Sequence, residues 1–307
     1  MSKKQVCGRF APTPSGRMHL GNVFCAMLAW LSVRSQNGKM ILRIEDLDPA
    51  RCKREYAETL IEDMLWLGFD WDEGGLNEGY VQSRRSDIYA SYTEKLNALG
   101  LTYPCYCSRE ELHAANAPHA SDGTYIYPGT CRYLTVADRA VKSRKPALRL
   151  ISPDKEITFT DGHLGTYTEN LASDCGDFII QRSDGVYAYQ LAVVVDDALM
   201  GINEVVRGVD LLPSTARQMY LFDLLGFERP SYIHVPLLVA ADGRRLSKRD
   251  RDLDIGVLRG NGKCPEEIIG HLAFHSGIIS REEPVKLLEL IPYFSWEKVK
   301  KENILIK

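Results

Sequence analysis

Hydrophobic positions along this chain follow two periods in turn. Residues 5–10 read as a short strand running into Ala11-Pro12-Thr13-Pro14-Ser15-Gly16, where the prolines remove backbone donors and bar regular structure. From Asn22 the spacing of Val23, Met27, Trp30, Leu31 and Arg34 is helical, with Gly38 placed to end the helix. Residues 40–44 form a second apolar strand that ends on Glu45-Asp46-Leu47-Asp48. Two amphipathic helices follow: Tyr56, Leu60, Met64 and Leu67 share a face ahead of Gly68, and Ile88, Tyr92, Leu96 and Leu99 precede Gly100. Strands and helices alternating at this spacing predict an α/β fold built on a parallel sheet.

The rhythm changes near residue 102. Short strand candidates at 147–151 and 157–160, with turn signals at Asp122-Gly123 and Asp161-Gly162, predict an insertion between two halves of the sheet. The α/β pattern resumes at 177–181. The apolar run 191–195 reads as a buried strand leading to Asp196-Asp197, and a helix over 214–225 is stopped by Gly226. A last helical stretch begins near Pro265. The expected division is therefore 1–101 and 176–255 as two halves of a core, 102–175 as the insertion and 256–307 as a small helical segment.

Composition narrows the class. The 307 residues are 45% hydrophobic and 26% charged, ordinary for a globular protein, which excludes a disordered, collagen-like or fibrous chain. The formal charge of −3 gives no global positive field, so any nucleic-acid contact must use a local basic face. No apolar stretch approaches the ~18 residues of a membrane span, and the N-terminus lacks a signal-peptide apolar region. Eight cysteines are too sparse for a disulfide scaffold; reduced thiols or a metal site, and a cytoplasmic location, are expected.

Two segments carry candidate chemistry. Residues 12–22 contain His19-Leu20-Gly21-Asn22 at a strand end, a loop and a helix start. Exposed N–H groups and the positive end of the helix dipole there suit an anion, and His19 can donate to a phosphate oxygen. The plainer reading is a proline-rich turn with a capped helix. The second segment is Asp242-Gly243-Arg244-Arg245-Leu246-Ser247-Lys248-Arg249-Asp250-Arg251. It reads either as a solvated charged face or as a phosphate-binding loop whose lysine stabilises charge during nucleotidyl transfer.

Together the two segments resemble the HIGH and KMSKS signatures of class I aminoacyl-tRNA synthetases, with Asn22 at the fourth HIGH position and Arg245-Leu246-Ser247-Lys248-Arg249 in place of KMSKS. Arg9-Phe10-Ala11-Pro12-Thr13-Pro14-Ser15-Gly16, Arg43-Ile44-Glu45-Asp46-Leu47-Asp48, Tyr189-Gln190-Leu191-Ala192-Val193-Val194-Val195-Asp196-Asp197 and Val205-Val206-Arg207-Gly208-Val209-Asp210 are similar to the glutamyl branch. The resemblance implies a Rossmann-type sheet and ATP-dependent activation of L-glutamate with Mg2+. His19 and Lys248 would be catalytic, and His19, Gly21, Asn22, Ser247 and Lys248 would hold ATP. Arg9, Phe10, Ala11, Pro12, Thr13, Glu45, Tyr189 and Arg207 would hold glutamate. Taken singly, Glu45-Asp46 could be a solvated strand end, and Arg207 a surface ion pair with Asp210.

Residues 252–307, all that follows the KMSKS-like segment, leave no room for an anticodon-reading domain, so the chain is similar to the stand-alone glutamyl-Q tRNA(Asp) synthetase family. That resemblance implies a monomer that transfers glutamate to the queuosine base of tRNA(Asp). Alternatives are a truncated glutamyl-tRNA synthetase charging a tRNA 3′ end and a non-catalytic binding paralogue. The insertion carries Cys105-Tyr106-Cys107 and Tyr127-Pro128-Gly129-Thr130-Cys131. Three thiolates and one further ligand suit tetrahedral zinc. The resemblance implies Cys105, Cys107, Tyr127 and Cys131, while Tyr125, His119 and His113 stay open as rivals for the fourth position, and three unrelated thiols are the alternative to any metal. Cys7, Cys25, Cys52, Cys175 and Cys264 have no metal spacing.

Overall fold

The protein is described here by a computed structural model covering residues 4–108, 110–111, 126–240 and 254–306. The first part of the chain runs β1 (Cys7–Phe10), α1 (Leu20–Ser35), β2 (Lys39–Leu42), α2 (Arg54–Trp66), β3 (Glu73–Gly74) and α3 (Ser86–Ala98). The middle part contains β4 (Thr102–Cys105), α4 (Val136–Ala140), β5 (Ala147–Leu150), β6 (Glu156–Asp161), β7 (Gly165–Asn170), α5 (Leu171–Asp174) and β8 (Phe178–Gln181). Then come α6 (Tyr189–Leu199), β9 (Glu204–Gly208), α7 (Ser214–Leu225), β10 (Ser231–Val235) and β11 (Leu238–Val239). The chain closes with α8 (Ile255–Gly260), α9 (Pro265–Ser276) and β12 (Ile304–Leu305).

Five strands form one parallel sheet in the order β10-β9-β1-β2-β3, so the two parts of the chain meet where β1 lies beside β9. Strand periodicity feeds two cores. Met40 and Leu42 join a cluster with α1, α2 and α9, while Ile41 turns to the opposite cluster with α3, α6 and α7; Val206 and Val205 divide likewise. A parallel sheet covered on both faces explains why its strands read as nearly continuous apolar runs.

Two expectations are corrected. The run 191–195 is not a strand: it lies inside α6, packed against α3 and α7, with all five side chains buried. An apolar run with no alternation fits a helix buried all round as well as a central strand, and here it is the helix. Nor does 177–181 resume the parallel sheet. β8 pairs antiparallel with β5 and completes a separate three-stranded sheet, β4-β5-β8. The β6–β7 hairpin turns at Asp161-Gly162 as predicted and leans on β10, where the Gly162 N–H donates to the Tyr232 carbonyl. The helix over 214–225 is present and ends at Gly226 with φ 71°. α1 ends earlier than expected, Asn37 rather than Gly38 taking the left-handed conformation. No described helix is long and apolar enough to cross a membrane.

Candidate active site

The carboxyl ends of β1, β2 and β9 open onto one cavity of about 470 Å3. Arg9, Phe10, Ala11, Pro12, Thr13, Glu45, Tyr189 and Arg207 all line it, together with His19, Gly21 and Asn22. A crevice outside the strand ends, where the two parts of the sheet meet, is the ordinary ligand position in such folds. Ser247 and Lys248 lie outside the described residues. The chain enters their segment after β11, whose Leu238 lines the cavity, and leaves it at Asp254, which bridges to His19. Ile255 N–H then donates to the Met18 carbonyl at 3.0 Å.

On one side of the cavity stands the start of α1. His19 is its cap: Nδ1 accepts the Gly21 N–H at 3.1 Å, and the His19 N–H donates to Asn22 Oδ1 at 3.2 Å. With Nδ1 an acceptor, the ring proton is assigned to Nε2, which makes it a donor. A Cβ on Gly21 would lie 2.9 Å from the His19 ring, so glycine gives the imidazole its seat. The helix begins at Leu20 rather than Asn22 because this reciprocal cap captures the preceding turn.

The other side holds buried charge. Arg43 donates to Asp197 at 2.6 Å and to Glu45 at 3.0 Å, with Asp196 3.8 Å away. Arg85 pairs with Asp196 at 2.7 Å, and Arg9 Nε lies 3.4 Å from Asp197. Three guanidiniums thus face three carboxylates. Burial pushes the Glu45 carboxyl above its usual range, against the pull of Arg43 and Arg9. Its second oxygen makes no hydrogen bond among the described residues. Glu45 is thus a buried wall of the cavity rather than a solvated strand end, while Asp46 accepts from the Ser83 N–H and hydroxyl.

Arg207 is different. It is 4% exposed, not a surface residue paired with Asp210, and its partners among the described residues are all neutral. Its guanidinium donates to Gln218 at 2.7 Å, Thr215 at 2.7 Å, His234 Nε2 at 3.0 Å and the Tyr189 hydroxyl at 3.4 Å. His234 is fixed from behind: its Nδ1 lies 2.6 Å from Asp161, which also accepts the His234 N–H. Burial holds the His234 imidazole below its ordinary range and outweighs the Asp161 hydrogen bond. The ring is therefore neutral, with Nδ1–H given to Asp161 and Nε2 accepting from Arg207. A buried cation needs a countercharge; this one borders a cavity and has no carboxylate partner among the described residues.

Sequence reasoning missed Thr215, Gln218, His234 and Asp161. A signal existed: Thr215 and Gln218 are three apart on one face of α7, both buried, and His234 interrupts an otherwise apolar strand. Asp161 had none, since it reads as a turn residue.

A second cluster lies in the β4-β5-β8 region. The Tyr127 hydroxyl is 3.4 Å from Cys105 Sγ and 3.6 Å from Cys107 Sγ, and Cys107 Sγ is 3.5 Å from Cys131 Sγ. The three sulfurs lie within 4.8 Å of one another. Tetrahedral zinc with bonds of ~2.3 Å to sulfur and ~2.0 Å to oxygen spaces its ligands about 3.5–3.8 Å apart, so these donors fit such an ion with little movement. The Cys131 N–H donates to the Tyr127 oxygen at 2.8 Å, the Tyr106 N–H donates to Cys131 Sγ at 3.4 Å, and the Arg149 guanidinium sits 3.7 Å over the Tyr127 ring. All three contacts favour negative charge on the donors. Burial pushes the Cys107 thiol up to about 12. The rivals Tyr125, His119 and His113 lie outside the described residues. None of the eight cysteines forms a disulfide.

A doubly covered parallel sheet with a charged cavity at its carboxyl edge, walled by a histidine-capped helix start, defines the catalytic fold of a class I synthetase. Residues 5–306 match the family described as tRNA synthetases class I (E and Q), catalytic domain, and the chain belongs to it. It is 48% identical to the glutamyl-Q tRNA(Asp) synthetase of Symbiobacterium thermophilum, covering 98% of this chain and 96% of that protein. The protein of the same name from Nitratidesulfovibrio vulgaris is 51% identical over 89% of this chain and 87% of its own. The glutamate–tRNA ligase of Aquifex aeolicus is 42% identical over 94% of this chain and 62% of its own length. Among solved structures, a glutamate tRNA ligase from Elizabethkingia meningosepticum in complex with its amino acid superposes with TM-score 0.83 at 29% identity, covering 99% of this chain and 67% of that one. The resemblance drawn from the motifs is borne out.

Proposed function

We propose that this chain activates L-glutamate with ATP and transfers the glutamyl group to the queuosine base of tRNA(Asp), acting as a cytoplasmic monomer. In the first step a glutamate α-carboxylate oxygen attacks the α-phosphorus of ATP; the P–O bond to pyrophosphate breaks and glutamyl-adenylate forms. In the second, a hydroxyl of the queuosine cyclopentene ring attacks the activated carbonyl and AMP leaves. Both steps gain from positioning and from fixed charge near the phosphates.

The single observation that supports this reading best is Arg207, a buried guanidinium on the cavity with no carboxylate partner among the described residues. A side-chain carboxylate supplies the missing anion through forked hydrogen bonds. In this reading Glu45, whose second oxygen is unengaged, receives the α-ammonium, and Arg9, Thr13 and Tyr189 bracket the rest of the amino acid, with Phe10, Ala11 and Pro12 as the wall. Across the cavity, His19 Nε2–H faces the phosphates, with Gly21 and Asn22 beside it. Ser247 and Lys248 would bind the same phosphates; before their segment Leu238 lines the cavity, and after it Asp254 bridges to His19. Mg2+ enters on the triphosphate as part of that substrate.

The insertion belongs to the same reading. Cys105, Cys107, Tyr127 and Cys131 would hold a structural zinc, tying β4 to the turn at 127–131. The division into core halves 1–101 and 176–255, insertion 102–175 and helical segment 256–307 enters with one change: the pairing of β8 with β5 carries the insertion to residue 181.

Glutamate-dependent ATP–pyrophosphate exchange without RNA, followed by transfer of labelled glutamate to queuosine-bearing tRNA(Asp), unmodified tRNA(Asp) and tRNA(Glu), tests the proposal. Exchange with labelling of queuosine-bearing tRNA(Asp) alone is expected. Labelling of tRNA(Glu) would make the chain a charging enzyme instead, and no exchange would make it a binding protein.

A further inference from the structure

Far from the strand ends, α9 carries His271 and His275 one helical turn apart, and the chain returning after its C-terminus brings Glu282 against them. The imidazole rings meet edge to face, centroids 4.4 Å apart. His271 Nδ1 lies 2.6 Å from Glu282 Oε1. One donor atom from each of the three side chains falls within 4.8 Å of the other two.

The backbone, not a chance rotamer, delivers the carboxylate. Gly277 at φ 93° ends α9 and reverses the chain. The returning strand of chain then runs so close to the helix that a Cβ on Gly270 would collide with the Glu283 carbonyl oxygen. The Val285 N–H donates to the Glu266 carbonyl at 3.0 Å, pinning the far end. Glu282 is about half exposed and His271 about a quarter, so the cluster is supported on the helix side and open to water on the other.

We propose that His271, His275 and Glu282 bind a divalent first-row transition ion of the zinc class, with water in the remaining positions. Two imidazoles and a carboxylate suit zinc, nickel, cobalt or copper, whereas magnesium and calcium take oxygen donors. Bonds of ~2.0–2.2 Å bring tetrahedral ligands about 3.3–3.5 Å apart, so donors that already lie within 4.8 Å of one another need close by no more than about 1.5 Å. The ion replaces the proton shared by His271 and Glu282, and that proton leaves to solvent. It clamps α9 to the segment that follows, on the wall of a cavity of about 500 Å3 that Leu20, Leu258 and Ile306 also line. Leu20 follows His19 directly, so the clamp stiffens the support behind the cap of α1.

The test compares full-length wild type with the His271→Ala/His275→Ala double variant and with Glu282→Gln, titrated with Zn2+ by calorimetry and with Co2+ by absorption. Wild type should take up one equivalent more than the double variant. Glu282→Gln, which removes the charged ligand, should bind that equivalent at least ~10-fold more weakly, no less than loss of an outer carboxylate costs at metal sites. The extra Co2+ should show weak visible bands and no sulfur-to-metal charge transfer, which separates it from the thiol cluster. Equal stoichiometry in wild type and double variant, unchanged affinity in Glu282→Gln, or a thiolate band on the lost equivalent would each overturn the proposal. Because Glu282 is exposed, the glutamine variant keeps its fold and decides the matter even if the double variant does not.

Discussion

Arg9, Glu45 and Arg207 line the strand-edge cavity, backed by the ion pairs of residues 43, 85, 196 and 197, and the groups that steer Arg207 come from 161, 215, 218 and 234. In the thiol cluster, all four donors come from two short turns, 105–107 and 127–131. The first is held by the tertiary fold: apart from the Arg43–Glu45 contact, its ion pairs join residues far apart in sequence, and no single local segment carries it. The second is held by local backbone, the Cys131 and Tyr106 N–H groups donating to the Tyr127 oxygen and the Cys131 sulfur. The cavity's shape should therefore survive loss of the cluster, and the cluster, unlike the cavity, is legible in the spacing of its own residues.

The sharpest way to break this comparison is Arg207→Met. Removing one partner of a buried charge pair costs about 3–5 kcal/mol. The KM for glutamate in pyrophosphate exchange should therefore rise by ~10² or more, while bound metal stays the same. A KM within twofold of wild type would detach Arg207 from the substrate. Next, Lys248→Ala should slow adenylate formation by about 10²–10³ with an unchanged Tm, the scale expected for one positioned transition-state donor; unaltered exchange would refute its role. Cys131→Ser probes the other side. It should release zinc to a chelator and raise amide exchange in 102–107 and 127–135, yet leave pyrophosphate exchange near wild type. Collapse of exchange would show that the two regions are one cooperative unit.

The smallest expected effect is a pH slope. His234 is held below its ordinary range. Below about pH 6.5 the unfolded chain binds a proton that the native ring refuses, so stability falls as pH falls. Asp161, also held low by the His234 hydrogen bond and two backbone donors against its burial, adds a loss of the same sign only below about pH 4. One proton contributes at most about 1.4 kcal/mol per pH unit. His234→Gln should flatten urea-unfolding stability between pH 6.5 and 5 relative to wild type; identical slopes would mean the ring titrates normally.

Much of this molecule was legible in its residues. The helices before Gly68, Gly100 and Gly226 have the expected stops, because a left-handed glycine is a local signal, but the face expected of α3 is shifted: Tyr89, Thr93 and Leu96 are buried and Leu99 is exposed. The apolar run before Asp196 was misread because a helix buried on every side leaves no periodic trace. β8 was misassigned because strand residues do not name their partner. The cavity's lining followed from motif resemblance, but the distinction of Arg207 from Arg9 and Arg43 did not: which arginine lacks a carboxylate is a fact about three-dimensional bookkeeping. Asp161 was invisible for the same reason, its partner lying 73 positions away.

That last residue has a practical corollary. The β6–β7 hairpin looks like ornament, a loop to be shortened or exchanged when such enzymes are re-engineered. Yet Asp161, at its tip, holds the imidazole of His234, which accepts from Arg207 at the cavity. On the role proposed for Arg207, exchanging residues 156–170 for those of a relative should shift the KM for glutamate without altering any residue that lines the cavity.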